Sequence, residues 1–287
     1  MIKNKLRKIL SKFGDILQSE KVIKELQLQT SALIDSNYHL LRQSNPRYTD
    51  EKRLLTYGYQ VLAQTDEDGI IAEIFKRIST TNQFFVEFGV GNGIENNSAN
   101  LLFQSWKGLW IEGNLECVTS IQQNLKRFIT SNQLKIHQAF ISENNVEQIF
   151  TNFQVPVELD LLSIDVDSFD YYIWHAINKF KPRIIVIEYN PSWGPTTEWI
   201  MPKDVIPSFT NHTSCYGASL KSYEKLGIQK GYSLVGCNIT GANAFFVRND
   251  LVKDLFASPF TSENHYEPPR YHLLRQIGHP RSFNIYQ

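Results

Sequence analysis

From residue 84 onward, short apolar runs alternate with segments of helical length. The runs are FFVEFGV (84–90), GLWIEG (108–113), LKIHQAFI (134–141), LDLLSIDV (159–166) and RIIVIEY (183–189). Such alternation predicts a parallel sheet covered by helices on both faces. The covering helices are expected at 98–104, 115–128, 146–150 and 171–178, with a further one, SLKSYEKLGIQKG, at 219–231 after an irregular stretch from 190 to 216. The last two strand candidates, YSLVGCNI and NAFFVRN, are separated only by Thr240-Gly241-Ala242. No crossover helix fits in three residues, so these two are expected to form an antiparallel hairpin.

Upstream, the spacing is helical. TDEDGIIAEIFKRI starts a helix with Thr65 or Asp66 as N-cap and Ile70, Ile71, Ile74, Phe75 and Ile78 as its apolar stripe. Residues 1–63 read as a helical arm in several pieces: a first stretch, then VIKELQLQTSALIDSNYHLL, a break at Asn45-Pro46, and EKRLLTYGYQVLA. Residues 64–257 form the main domain, and the Pro-, His- and Tyr-rich tail 258–287 has no assigned structure. In the first stretch Ile2, Leu6, Ile9, Leu10, Phe13, Ile16 and Leu17 share a face, with Lys3, Lys5, Arg7, Lys8 and Lys12 on the others. Two uses fit this pattern: peripheral contact of residues 1–17 with an anionic membrane, or packing against the protein itself or a second subunit.

Lysines plus arginines equal aspartates plus glutamates at 29 each. No global positive field exists to draw in phosphate backbones, so bulk nucleic-acid binding is not expected. Cys117, Cys215 and Cys237 lie far apart without metal-type spacing, which argues for reduced thiols rather than a zinc site or a disulfide framework. No run approaches the roughly 18 apolar residues of a transmembrane helix. A cytoplasmic protein is expected, membrane-peripheral if residues 1–17 bind lipid.

Chemistry enters with VEFGVGNGIENNSANLL, which places Gly89, Gly91 and Gly93 between a strand and a helix. Glycines there let a ligand approach the backbone, and the helix offers unpaired N–H groups. Glu87 lies inside the strand, and Glu112 ends the next one, 25 residues later, where a carboxylate can accept from ribose hydroxyls. A dinucleotide site fits less well, because Ile94 stands where its third glycine belongs.

With these motifs the sequence resembles the class I S-adenosylmethionine-dependent methyltransferases over about residues 65–250. The resemblance implies a Rossmann-like, seven-stranded, mostly parallel sheet with an antiparallel terminal hairpin, here preceded by the helical arm. DEDGIIAEIF, VEFGVGNG, GLWIEGN and LLSIDVDSFDYYIW look most like the FkbM-like group, which the resemblance links to O-methylation of sugars or natural products. It further implies that S-adenosylmethionine lies over Gly89, Gly91 and Gly93 and reaches Asp165, with Glu87 near the methionine amino group, Glu112 at the ribose, and Ala139 and Phe140 flanking adenine. Glu87 has a second reading, as a buried carboxylate capping N–H groups of the loop.

The fourth run ends in Asp165 and Asp167 and the fifth in Glu188 and Asn190, where open parallel sheets bind ligands. The four supply hard oxygen ligands suited to Mg2+. Two other uses stay open: Asp165 or Asp167 as a metal-free general base, or one of them capping the helix near Tyr171. His175, and His212 in the following loop, are further base candidates. Asn190-Pro191-Ser192-Trp193 has the look of an amino-methyltransferase tetrad, but that motif follows the fourth strand; after the fifth it reads as a turn. Trp193, Trp199, Phe209 and Tyr216 make the loop aromatic, as an acceptor platform or a packed lid. The expected acceptor is therefore a carbohydrate or other small-molecule hydroxyl. An N-methyltransferase and a non-catalytic nucleoside binder working through its helical arm are the alternatives.

Overall fold

The computed structural model describes residues 2–205 and 214–273, with the side chains of residues 2–18 and 20 left aside. After the long helix α1 (Ile2–Ser44) come α2 (Glu67–Ile78), β1 (Phe84–Phe88), α3 (Ala99–Phe103), β2 (Lys107–Glu112), α4 (Leu115–Asn124), α5 (Lys126–Thr130) and β3 (Leu134–Gln138). They are followed by α6 (Val146–Asn152), β4 (Leu161–Ile164), α7 (Asp170–Ala176), β5 (Ile184–Glu188), α8 (Leu220–Lys230), β6 (Tyr232–Cys237) and β7 (Asn243–Arg248). The strands form one sheet in the order β3-β2-β1-β4-β5-β7-β6. β1 to β5 are parallel, and β7 runs antiparallel to both of its neighbours. This is the fold expected from the sequence, terminal hairpin included.

Alternation along each strand sends successive side chains into two cores. Phe85, Trp110, Leu161 and Val186 meet Ile70, Ile74 and Phe75 of α2 and Ile121 of α4 on one face. Val86, Phe88, Ile164 and Ile187 meet Ile173 and Trp174 of α7 and Tyr223 of α8 on the other. The expected helix 115–128 is interrupted at Leu125, which is fully buried at the junction of α4 and α5.

The N-terminal region departs from expectation. Its first pieces fuse into one continuous helix that ends at Ser44, and EKRLLTYGYQVLA is not a helix. Residues 46–48 and 54–57 are short 3-10 turns, and residues 58–66 are irregular. The reason lies in α2. Gly69 has no Cβ, so the backbone of Tyr57 and Tyr59 lies directly against it. The Asp68 carboxylate then accepts the N–H groups of Val61, Leu62 and Ala63 at 2.7–2.8 Å, taking donors that a helix would need. Leu54 and Leu55 are buried, and Leu54 packs on Gly236 of β6. Residues 46–63 thus pack against α2 and the sheet. The C-terminal part of α1 packs on the main body through Ile34, Tyr38 and Leu41 against Tyr48, Leu55, Ile239 and Leu273.

Residues 258–273 of the tail pack on the main body. Glu267, 1 % exposed, receives Arg47 Nε at 2.9 Å, Tyr48 Oη at 2.9 Å and Arg270 Nη1 at 2.7 Å. Its carbonyl accepts from the Tyr189 hydroxyl at 2.6 Å, just past β5. This clamp ties the C-terminal segment to the end of the sheet where the strands β1, β4 and β5 finish. Removing one partner of a buried ion cluster leaves the others uncompensated, at a cost of about 3–5 kcal/mol. Glu267→Ala is expected to lose stability on that scale, read from the urea unfolding midpoint, while Lys52→Ala, whose ion pair with Asp254 is exposed, shifts it by less than about 1 kcal/mol.

Candidate active site

Gly89 adopts φ +67°, and a Cβ there would overlap the carbonyl oxygen of Asp165. Only glycine lets the loop after β1 lie across the end of β4. The loop is pinned from its other side by Glu112, whose two carboxylate oxygens accept Gly91 N–H and Asn114 N–H, each at 2.8 Å. Beneath the loop lies a cleft of about 190 Å³ lined chiefly by polar groups, among them Gln64, Glu87, Asn96, Asn97, Asp165 and Asn243.

Of the expected cofactor residues, Glu87, Gly89, Gly91 and Asp165 line this cleft. Gly93 packs on Trp110, and Glu112 borders the cleft through its bond to Gly91. Phe140 stands 80 % exposed just past β3, with its ring against Gly113, and Ala139 is half-buried beside it. Glu87 has the capping role. It accepts from Asn97 N at 2.8 Å, Ser98 N at 2.9 Å, Asn96 Nδ2 at 2.8 Å, Ser163 Oγ at 3.1 Å and the Ser98 hydroxyl. Burial pushes its carboxyl above the usual range despite these donors.

Asp165, Asp167 and Glu188 come together at the ends of β4 and β5, with one ligand atom from each lying within 4.8 Å of the others. Burial, then the neighbouring carboxylates, push Asp165 and Glu188 well above the ordinary carboxylate range. Asp167 is raised as well, by burial and by Glu112. Asp170 adds to the field on Asp165 and Glu188; one of its oxygens accepts Val166 N–H at 2.8 Å, and the other is buried without a partner. The capping of the turn into α7 thus falls to Asp170, not to Asp165 or Asp167. Close carboxylates lacking a positive partner favour a proton or a cation, and ligand atoms around one Mg2+ or Ca2+ stand about 3–5 Å apart. The three residues fit such an ion.

Asn190 does not join them. Its amide donates to the carbonyls of Ser214 and Tyr216 at 2.8 and 2.9 Å and its oxygen accepts Ser192 N–H, so it caps a turn with Pro191 at its first position. His175 is also displaced. α7 leaves the β4 end and runs back along the sheet, carrying residue 175 about 7.5 Å down its axis. There its ring is exposed and its carbonyl accepts from Lys230 at the opposite end of the sheet. His212, Phe209 and the proposed membrane-contact side chains of residues 1–17 lie outside the described residues. Trp193 and Trp199 stack on each other at 4.6 Å. Tyr216 and Tyr271 bring their hydroxyls to 3.4 Å, and Glu188 adds to the burial that raises both.

Gln64, Asn243 and Tyr271 had no signal in their local sequence, since their places depend on packing across the fold. Asn96 and Asn97 did, in the polar run directly after the glycine loop. Asn243 is held from behind by the fully buried Glu67, which also accepts from Asn238 and from the N–H and hydroxyl of Thr65.

No protein-family model matches the chain, and no curated protein matches it. Among solved structures it is similar to a magnesium protoporphyrin IX methyltransferase from Synechocystis PCC 6803 with bound SAM, at 13 % identity over 64 % of this chain and 79 % of that one, TM-score 0.42. It is also similar to a precorrin-6y C5,15-methyltransferase from Geobacter metallireducens GS-15, at 14 % identity over 66 % and 92 %, TM-score 0.38. A third is a geranyl diphosphate C-methyltransferase from Streptomyces coelicolor A3(2), at 10 % or less identity (9 %) over 59 % and 62 %, TM-score 0.38; the chain matches about three fifths of that structure's length. At these scores the likenesses carry no weight about activity, which rests on the site itself.

Two outcomes follow from the geometry. Gly89→Ala is expected to cost about 1–3 kcal/mol from its backbone conformation alone, measured by chemical denaturation. Asp66, buried beside Glu67, has its carboxyl pushed up from 3.8 to about 7. The stability lent by its proton is full below about 3.8 and is lost as pH rises through 7. Asp66→Asn keeps a neutral side chain at every pH, so its stability relative to the parent chain should increase between pH 4 and pH 8, as measured by urea unfolding at each.

Proposed function

We propose that the chain is an S-adenosylmethionine-dependent methyltransferase acting on a hydroxyl of a sugar or glycosylated small molecule, in the manner of the FkbM-like group. The observation that carries the reading is the sharing of Asp165 between the cleft under the glycine loop and the carboxylate cluster. A donor in the cleft and an acceptor at the cluster would meet at that residue.

Bound S-adenosylmethionine would supply the methyl group, and Asp165, Asp167 and Glu188 would hold a divalent cation whose Lewis acidity would lower the pKa of the acceptor hydroxyl. The protein's own share is positioning and proton handling. The glycine loop leaves its backbone accessible, Glu112 retains lone pairs for ribose hydroxyls, and Phe140 offers an exposed aromatic face for adenine. Without a cation, the burial and crowding that raise Asp165 and Glu188 would instead suit a carboxylate of the cluster to accept the hydroxyl proton. Tyr216 and Tyr271, whose paired hydroxyls feel the charge of Glu188, would offer hydroxyls to a polar acceptor.

The amide clamp of an N-methyltransferase has no counterpart among the described residues, because β4 ends in acids and the Asn190 amide is used within its own loop. A purely structural nucleoside binder would have no use for crowded acids that raise one another's pKa, whereas catalytic sites maintain such arrangements.

Calorimetric titration with S-adenosylhomocysteine, with and without Mg2+, tests the reading. Micromolar binding, about −8 kcal/mol, is expected, and Mg2+ should bind the parent chain but not Asp165→Asn. Absence of S-adenosylhomocysteine binding in both conditions would refute the cofactor assignment; binding that ignores Mg2+ would leave Asp165 or Asp167 as a metal-free base.

A further inference from the structure

α1 is 43 residues long, about 65 Å at the helical rise, and the apolar contacts its described side chains make with the body come from its last turns. Ile34, Tyr38 and Leu41 face the body. On an adjoining face, Ile23, Leu26, Leu33 and Leu40 stand 53 %, 56 %, 65 % and 60 % exposed, and Thr30 and Asn37 between them are exposed as well. These six residues alternate in steps of three and four, the spacing of a coiled-coil seam, with Ile23, Thr30 and Asn37 in one column and the three leucines in the other.

The charges follow the same repeat. Every charged residue from 21 to 44, namely Lys21, Lys24, Glu25, Asp35 and Arg42, falls at a position pointing away from the seam. The positions flanking the seam carry Val22, Gln27, Gln29, Ile34, Ser36, Leu41 and Gln43. When two identical helices pair in parallel, like residues come opposite like; neutral flanks remove the repulsion that charged ones would bring. A lipid surface would instead favour basic flanks beside the apolar stripe, and this stripe has none.

We infer that this face pairs with the same face of a second copy of the chain as a parallel two-stranded coiled coil over residues 22–43. Leucines in one column favour two strands, and an asparagine in the other column, meeting its counterpart in the second copy, fixes register and strand number. The inference is independent of the methyltransferase reading.

Sedimentation of the full chain tests it. The parent protein is expected to run at twice the 33.2 kDa of one chain, and the double variant Leu26→Asp/Leu33→Asp at the mass of one. Both changes are on exposed positions, so the thermal unfolding of the main domain should be unaltered. Leu33→Cys is expected to cross-link with itself on mild oxidation under conditions in which the parent chain does not. A monomeric parent protein would overturn the inference, including one that binds phosphatidylserine vesicles, and so would a dimer that survives the aspartate pair. A dimer in which Leu33→Cys fails to cross-link would overturn the parallel arrangement.

Discussion

The site depends on one buried carboxylate. Glu87 sits in the middle of the sheet, 2 % exposed, and collects N–H and hydroxyl donors from Asn96, Asn97, Ser98 and Ser163. An acid in such a place is tolerated only because several donors converge on it. Through them it satisfies the start of α3, ties β1 to β4, and holds the Ser98 hydroxyl that receives the Trp110 indole N–H at 2.8 Å. The glycine loop is consequently anchored at Gly91 by Glu112 and beyond its end, at Asn96 to Ser98, by Glu87. Rigidity at the anchors and an exposed backbone between them is what a nucleoside cleft requires.

Much of this was legible in the residues. Strand positions follow from apolar runs that only a doubly covered sheet can bury, and the three-residue link at Thr240 to Ala242 forces the reversed hairpin. Asp165, Asp167 and Glu188 could be placed together because strand ends in a parallel sheet converge at one edge. Asn190 and His175 show where such reasoning stops. One sits at the correct strand end with its amide drawn into a turn, and the other sits on the correct helix but too far along it. Neither outcome depends on residue type; each is decided by hydrogen bonds and helix direction that local spacing does not encode.

The segment 46–66 illustrates a different limit. Within it, residues 51–63 have the apolar spacing of a helix and still do not form one. Asp68 takes three of their N–H donors, and Gly69 admits the backbone so closely that a regular helix has no room. The C-terminal residues were opaque for a related reason: their order comes from Glu267 meeting Arg47 and Tyr48, partners some 220 positions earlier in the chain. Burial of an ion cluster is a property of the finished fold.

Reversing the last strand also leaves β6 at the margin of the sheet, where unpaired backbone groups invite strand addition by another molecule. The turn at 54–57 and the short helical turn at 262–265 both lie against that strand, with Leu54 over Gly236. Two segments from distant parts of the chain thus buttress the sheet's last strand and resist its peeling away from β7.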